Sequence, residues 1–531
     1  MSTTATEHKL PTFAPMPLED IAKVREELQR GFASGKTRSV AWRRAQILAL
    51  VYLIKDNIDR FNAALALDLG RSPLETHIAE VGPTLDELRV LYDGVAKWAK
   101  TESAPFSTAW FPMKPQIRKE PKGVVLVITP FNYVITLSMC PIAGALAAGC
   151  TVAFKPSEQT PHASALFAEL MPKYVDTDVV RVVNGAIPET TKLLEYQWDH
   201  IMYTGSGRVA RIVLTAAAKT LSPVTTELGG KSPAIFGPRC NLKTSVRRVL
   251  WAKFANSGQT CIAPDYAIVP KSLELDFIDE IRRVLPEFYP DGAERSSSFS
   301  RIVSFRGTAR LHALLQNTKG ETVCGGRVDV EARFVEPTVV RGVGGDDSLM
   351  SEYAVILELF GPILPIVTVD DVDEAIAFVK ARDHPLALYV FSEDKEFQQK
   401  IIESTQSGGV LVNDTMVHFA AYGVPFGGIG PSGSGQYKGK YSFDMFTHLR
   451  TVLVSASWLD IILSGRYPPF SAAKARKMDM LTLPSFPSRP KVPPVPSEVP
   501  QSSTSRWGAG VVVALVVSMT ALLTRSSHRR S

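Results

Sequence analysis

Apolar and polar positions change rhythm along this chain. From about residue 18 to 100 apolar residues recur at the three-and-four spacing of a helix face. Ile47, Leu50, Val51 and Ile54 fall on one side, with charges nearby. A mostly helical region is predicted there. From Pro121 the rhythm shortens. The strand-like runs VVLVI (124–128), TVAF (151–154), VRVV (180–183) and IMY (201–203) alternate with helical stretches such as LSMCPIAGALAAG and RVARIVLTAAAKT. Strand, helix, strand, helix predicts a parallel sheet with right-handed crossovers. No short internal repeat accompanies it.

The C-terminus has a rhythm of its own. WGAGVVVALVVSMTALLT, Trp507 to Thr524, is 18 residues without a charge. As a helix it would be about 27 Å long, near the ~30 Å hydrocarbon core of a bilayer. Arg506 bounds one side, and Arg525, Arg529 and Arg530 the other; Trp507 suits the interface. A transmembrane tail anchor is predicted over 507–524, with a cytosolic body. The mitochondrial outer membrane, the endoplasmic reticulum and the peroxisome all fit such an anchor. Ahead of it, LPSFPSRPKVPPVPSEVPQSSTS carries seven prolines between Pro484 and Pro500. It reads as an extended spacer with a reach of roughly 70 Å.

Composition narrows the function classes. At 531 residues the chain exceeds one small core, so two or more domains are expected. The net charge is +6, but the residues from Arg466 onward carry ten Lys/Arg against two Asp/Glu. The body before them is therefore close to neutral, which argues against nucleic-acid binding. Five cysteines show no CxxC pair, and the first residues show no apolar run for a signal peptide, which favours a reducing compartment. Nine scattered histidines form no HExxH and no Cys/His cluster, so no metal site is predicted.

Ligands of a parallel sheet sit outside the carboxyl ends of its strands, and the polar residues fall there. TPFNY places Asn132 at the tip of the first strand. KPSE places Lys155 and Glu158 after the second, and TGSG places Gly205 and Ser206 after the fourth. A glycine turn at a helix N-terminus lets backbone N–H groups meet a phosphate. Lys155 has the reach for ribose or phosphate. Glu158 accepts from a ribose and repels a 2′-phosphate, which leans toward NAD over NADP. In TTELGGKSP, Glu227 ends a strand at a sharp glycine turn. Cys261, in NSGQTCIAP, follows 34 residues later. Thiol, carboxylate and amide donor together make a kit for covalent acyl chemistry.

ELGGKSP, GQTCIAPDY, ELFGP, PFGGIGPSGSG and KGKYSFDMFTHLR, in that order, resemble the aldehyde dehydrogenase superfamily. GQTCIAPDY and the last motif are similar to its class 3 branch, which includes membrane-anchored fatty aldehyde dehydrogenases. The resemblance runs from about residue 20 to 465. It implies an α/β fold with a Rossmann-type NAD(P)-binding domain (17–105 and 119–228) and an α/β catalytic domain (229–431). It also implies a small bridging β arm (106–118 and 432–457) that pairs two chains into a homodimer. A substrate-gating helix (458–470), a Pro-rich basic linker (471–506) and the anchor (507–524) follow. It implies Cys261 as nucleophile, Glu227 as general base, and Asn132 with the Cys261 N–H as the oxyanion hole. Lys155, Glu158, Gly205 and Ser206 would bind the dinucleotide, and Glu358 and Phe360 the nicotinamide ribose. The activity implied is NAD(P)-dependent oxidation of long-chain fatty aldehydes through a Cys261 thioester. A CoA-acylating enzyme and a membrane-tethered scaffold are its rivals. The Cys261 thiol is expected to have a lowered pKa.

The sequence departs from the family at a few positions. Phe131 stands where Trp is usual before the Asn, and Val134 where Pro is usual after Tyr133. The last small residue of the glycine turn is Ala210. In SEYAVILELFGP the acidic pair usual before the Phe is split, with YAVIL between Glu352 and Glu358.

Overall fold

The computed structural model describes residues 10–107, 110–350, 358–483 and 486–488. These fall in two compact units, one running to Pro105 and resuming over Lys114–Val454, the other joining Phe106–Met113 to the chain from Ser455 onward.

The first unit opens with the expected helices, among them Asp20–Ala33, Val40–Lys55, Ile58–Leu69 and Gly82–Trp98. In Val40–Lys55 the buried face is Ile47, Leu50, Leu53 and Ile54. Val51 is only half-buried, so the buried stripe turns toward Leu53 rather than Val51. Beyond the helices lies a six-stranded sheet. Its order is Gly433–Ser434, Val224–Glu227, His200–Thr204, Val124–Ile128, Thr151–Lys155 and Val180–Val182. All pairs are parallel except the first, where Gly433 stands opposite Glu227. The chain enters at Val124–Ile128, runs outward through two strands, then returns to its other side at His200–Thr204. That reversal is the switch point of a doubly wound Rossmann-type sheet, where ligands bind beyond the strand ends. All thirteen residues of the crossover helix Thr136–Ala148 are buried, as an all-round apolar sequence requires.

A seven-stranded sheet follows, in the order Glu321–Cys324, Thr338–Arg341, Ile363–Val369, Tyr266–Pro270, Pro233–Phe236, Ala387–Phe391 and Gly409–Val412. Only Glu321–Cys324 runs antiparallel to its neighbour. Helix Leu242–Phe254 and a tight turn at Ala255–Gly258 lead from Pro233–Phe236 to Tyr266–Pro270, and Cys261 lies on that path.

The bridging arm differs from its expected bounds. Strand Gln116–Pro121 pairs antiparallel with Glu102–Ser103 and with Thr447–Val452. Residues 432–446 do not join that ribbon. Gly433–Ser434 closes the edge of the six-stranded sheet, and helix Lys440–Met445 packs on Thr136–Ala148. The packing is close enough that a Cβ on Gly144 would lie 2.7 Å from the Ser442 Cβ.

The second unit also corrects one boundary. The linker does not begin at 471, because Ala472–Thr482 is an α-helix capped by Ser471, whose side chain accepts from the Lys474 N–H. AAKARKMDMLT contains neither Pro nor Gly, so nothing breaks the helix before Pro484. Over the expected gating helix, a 3₁₀ turn Ser457–Leu459, helix Asp460–Leu463 and a second turn Ser464–Arg466 are present. No helix among the described residues is long and apolar enough to cross a membrane. The expected anchor at 507–524 and the YAVIL insert lie outside the described residues.

Candidate active site

Cys261 and Glu227 meet where two cavities join. One cavity, of about 490 Å³, is lined at the switch point by Phe131, Asn132, Gly205, Ser206, Glu358 and Phe360, together with Cys261 and Glu227. The other, of about 300 Å³, shares Cys261 and Glu227 and is walled mostly by apolar side chains, including Ile78, Trp251, Ile262, Met416 and Phe419.

Local structure explains each placement. Glu227 is the last residue of Val224–Glu227, buried, and neither of its carboxylate oxygens has a hydrogen-bond partner among the described residues. Burial pushes its pKa well above the ordinary carboxylate value. Asn132 follows Val124–Ile128 and is buried; its Nδ2 donates to the Gln259 carbonyl at 3.0 Å. An amide nitrogen has two protons, so one remains for a ligand in the cavity. Cys261 is half-buried. The expected depression of its thiol pKa is not found. Burial pushes the thiol up, and the Glu358 and Glu227 carboxyls add to the rise. A thiol beside two acidic groups gains nothing from ionising until one of them is neutral or displaced.

Glu358 is held by backbone. Its Oε1 accepts from the Gly230 N–H at 2.9 Å, and burial raises its pKa to about 8. Gly229 is what lets it approach, since a Cβ there would lie 2.1 Å from that same oxygen. Phe360 sits at φ 47°, a left-handed conformation uncommon for a bulky residue, with its ring edge-on to Phe131 at 5.8 Å. Gly205 is tightly enclosed, as a Cβ would come within 2.4 Å of the Tyr203 hydroxyl. Ser206 caps helix Gly207–Thr220, whose first turn opens onto the cavity. A helix N-terminus aimed into a cleft of this size, with a carboxylate and an aromatic ring opposite, fits a dinucleotide's pyrophosphate and nicotinamide ends.

The other two candidates for dinucleotide binding lie at the tip of a further strand. Lys155 ends Thr151–Lys155, one strand over, and lies outside the wall of that cavity. It is buried, with Nζ donating to the Pro156 carbonyl at 2.6 Å and to Glu158 at 3.4 Å. Burial lowers its pKa, while Glu158 opposes the shift. Glu158 is exposed and also lies outside that wall.

Several residues around the site are not singled out by the sequence. Asp265 accepts from the Leu359 N–H at 3.0 Å and pairs with Lys231 at 2.5 Å, holding the Glu358–Phe360 turn. Arg310 donates to the carbonyls of Glu358 and Leu359. Asp265 and Lys231 do fall inside GQTCIAPDY and ELGGKSP, but Arg310 lies in no motif. The apolar wall comes from segments far apart in the chain, which no local pattern could join.

A profile of the aldehyde dehydrogenase family matches residues 2–452. The chain belongs to the aldehyde dehydrogenase family. This aldehyde dehydrogenase is 41% identical over 459 residues to the rat protein "Aldehyde dehydrogenase, dimeric NADP-preferring", covering 86% of this chain and all of the relative. It is 40% identical over 460 residues to mouse "Aldehyde dehydrogenase family 3 member A2", covering 86% of this chain and 93% of the other. Among solved structures, a substrate-bound Staphylococcus aureus AldH superposes with TM-score 0.82 at 38% identity, over 87% of this chain and 99% of that one. A Methanocaldococcus jannaschii glyceraldehyde-3-phosphate dehydrogenase at 22% identity and TM-score 0.72, over 85% of this chain and all of that one, shares the fold. The enzyme is an NAD(P)-dependent aldehyde dehydrogenase.

Proposed function

We propose that this enzyme oxidises long-chain aliphatic aldehydes to carboxylic acids, with Cys261, Glu227 and Asn132 as its catalytic residues. The observation that carries the substrate class is the apolar cavity ending at Cys261. A polar or charged aldehyde would lose hydration there without recovering hydrogen bonds. An alkyl chain gains roughly 0.8 kcal/mol per buried CH₂.

Chemistry follows from the residues at the junction. Glu227, in its ionised form, takes the thiol proton and passes it to solvent. Cys261 Sγ then bonds to the aldehyde carbon, and the carbonyl oxygen becomes an oxyanion. Asn132 Nδ2 and the Cys261 N–H stabilise it, each worth about 3 kcal/mol in such a site. Glu358 and Phe360 would hold the nicotinamide end of the dinucleotide, which would supply the hydride acceptor for that carbon. What remains on Cys261 is a thioester. Glu227 deprotonates a water, which adds to the thioester carbon; the C–S bond breaks and the acid leaves. The Glu227 carboxylate lines both cavities, and its two oxygens, unpaired among the described residues, favour water over CoA as acceptor. Glu158 in the KPSE turn favours NAD, and Lys155 completes the ribose end. The name of the rat relative supports a homodimer, with the ribbon of residues 116–121 and 447–452 as the pairing arm. Residues 458–470 would gate the substrate entrance. The apolar stretch 507–524 would hold the body at a mitochondrial, endoplasmic reticulum or peroxisomal membrane, where such aldehydes concentrate.

NADH formation by the full chain in detergent, with aldehydes from propanal to hexadecanal and with and without CoA, tests this reading. kcat/KM should climb with chain length, Cys261→Ala should be silent, and CoA should not alter the product. A preference for short aldehydes would sink the substrate class, and an acyl-CoA product would sink the hydrolytic route.

A further inference from the structure

Two carboxylates that this chemistry does not use stand on one short helical segment. Pro73–Thr76 is α-helical, and His77–Val81 continues it as a π-turn, a form found often at functional sites. Glu80, fully buried, faces the loop after Val124–Ile128. Its Oε2 accepts from the N–H groups of Ile135 at 2.5 Å and Thr136 at 3.2 Å, and its Oε1 pairs with Arg71. Arg71, also buried, donates to the Asn132 carbonyl and lies over the Tyr133 ring, 5.1 Å from its centroid. Glu75 faces the other loop. Its Oε1 accepts from the Asn256 N–H, and its Oε2 accepts from Ser300 Oγ at 2.8 Å.

The second loop needs that support. Asn256 and Ser257 both hold φ 52°, buried, just ahead of the nucleophile. Non-glycine residues in that region cost on the order of 1–3 kcal/mol each, and persist only where the surroundings dictate them. The two loops are also tied to each other. Asn256 Nδ2 donates to the Asn132 carbonyl at 2.9 Å and to the Gln259 carbonyl at 3.1 Å, and the Asn132 amide donates to Gln259. A buried Arg–Glu pair adds little net stability over apolar packing. What a carboxylate supplies here, and an apolar residue would not, is acceptors for the backbone N–H groups of the loop that carries an oxyanion donor.

We infer that Glu75 and Glu80 are positioning residues for the oxyanion pair, one carboxylate per donor loop, so that a single segment sets the spacing between Asn132 Nδ2 and the Cys261 N–H. The inference rests on the proposed roles of Asn132 and Cys261. Both donors must meet one oxygen, and a displacement of about 1 Å at such a site costs roughly 10²-fold in rate.

The test uses the purified full chain and the variants Glu75→Ala, Glu75→Gln, Glu80→Gln and Asn132→Ala. It reads kcat, KM and the rate of Cys261 alkylation by iodoacetamide without cofactor, a reaction that needs the thiol but no oxyanion hole. Glu75→Ala and Glu80→Gln should lower kcat about 10²-fold with KM within a few-fold and alkylation unchanged. Glu75→Gln, which keeps an acceptor for the Asn256 N–H, should recover most of the loss. A kcat within a few-fold of the parent in Glu75→Ala overturns the inference, as does alkylation that falls in step with kcat. Where Glu80→Gln does not fold, the Glu75 pair decides alone. If Asn132→Ala lowers kcat and Glu75→Ala does not, only the positioning role fails. If Asn132→Ala leaves kcat intact, the oxyanion assignment fails and takes the inference with it.

Discussion

The two cavities that meet at Cys261 are built in opposite ways. The dinucleotide side is made of turns. Gly205–Gly207 opens a helix, Gly229 and Gly230 admit Glu358, and Phe360 is bent into a left-handed conformation. The aldehyde side is made of bulk. Trp251, Met416, Phe419 and Phe426 fill its wall, and among the described residues that line it there is no Lys or Arg. A turn binds through backbone N–H groups, whose positions a few local residues specify. A wall binds by excluding water, which takes side chains from many elements at once. The difference also accounts for the electrostatics of the junction. The apolar wall desolvates Glu227 and Cys261, and both are pushed toward their neutral forms.

That contrast can be broken from either side. Removing the nucleophile should have the largest effect. Cys261→Ala should lower kcat by roughly 10⁴-fold or more while NADH still binds, as read by its fluorescence. Activity surviving in that variant would move the chemistry elsewhere. Next is the base. Glu227→Gln should lower kcat by about 10²–10⁴-fold and leave thioester accumulating on Cys261, visible by mass spectrometry of the intact protein.

The same residue gives a pH signature. Its folded pKa lies well above the ordinary 4.5, so the folded protein keeps a proton that the unfolded chain has lost. Its stability contribution is complete below that ordinary value and is lost as pH rises toward the folded pKa. Glu227→Gln should therefore out-melt the parent by more at pH 8 than at pH 5. Turnover by the parent should rise with pH over the same range, because the base works ionised. A flat difference in melting temperature would show that the carboxyl is solvated.

Asn132→Ala should cost about 10²–10³-fold in kcat with little change in KM, the mark of a donor used only in the transition state. The smallest expected change is in the wall. Ile78→Ala should lower kcat/KM for hexadecanal by about threefold to tenfold and spare propanal. An equal loss for both aldehydes would show that the wall shapes the catalytic groups rather than holding the chain.

Much of the fold was legible in advance because it is encoded in short stretches. VVLVI becomes strand Val124–Ile128 residue for residue, and TVAF extends by one residue to Lys155. The glycine turn at 205–207 and the strand end at Glu227 also lie where the local pattern puts them. What was not legible depends on neighbours distant in the chain. Val51 gives way to Leu53 because neighbouring helices choose the buried stripe. Which strand tips share a cleft is likewise decided by strand order rather than strand content.

By itself the sequence determined the strands, the helices, the sharp turns and the kinds of reactive group this enzyme carries. Each depends on a handful of adjacent residues and on backbone sterics. Only the tertiary structure decided that Glu75 and Glu80 brace loops some 55 to 181 residues away. It alone decided that Ile78 and Phe419 share a wall, and that the Cys261 thiol is raised rather than lowered. Desolvation and buried charge pairing depend on what surrounds a group in space, and those surroundings are assembled from the whole length of the chain.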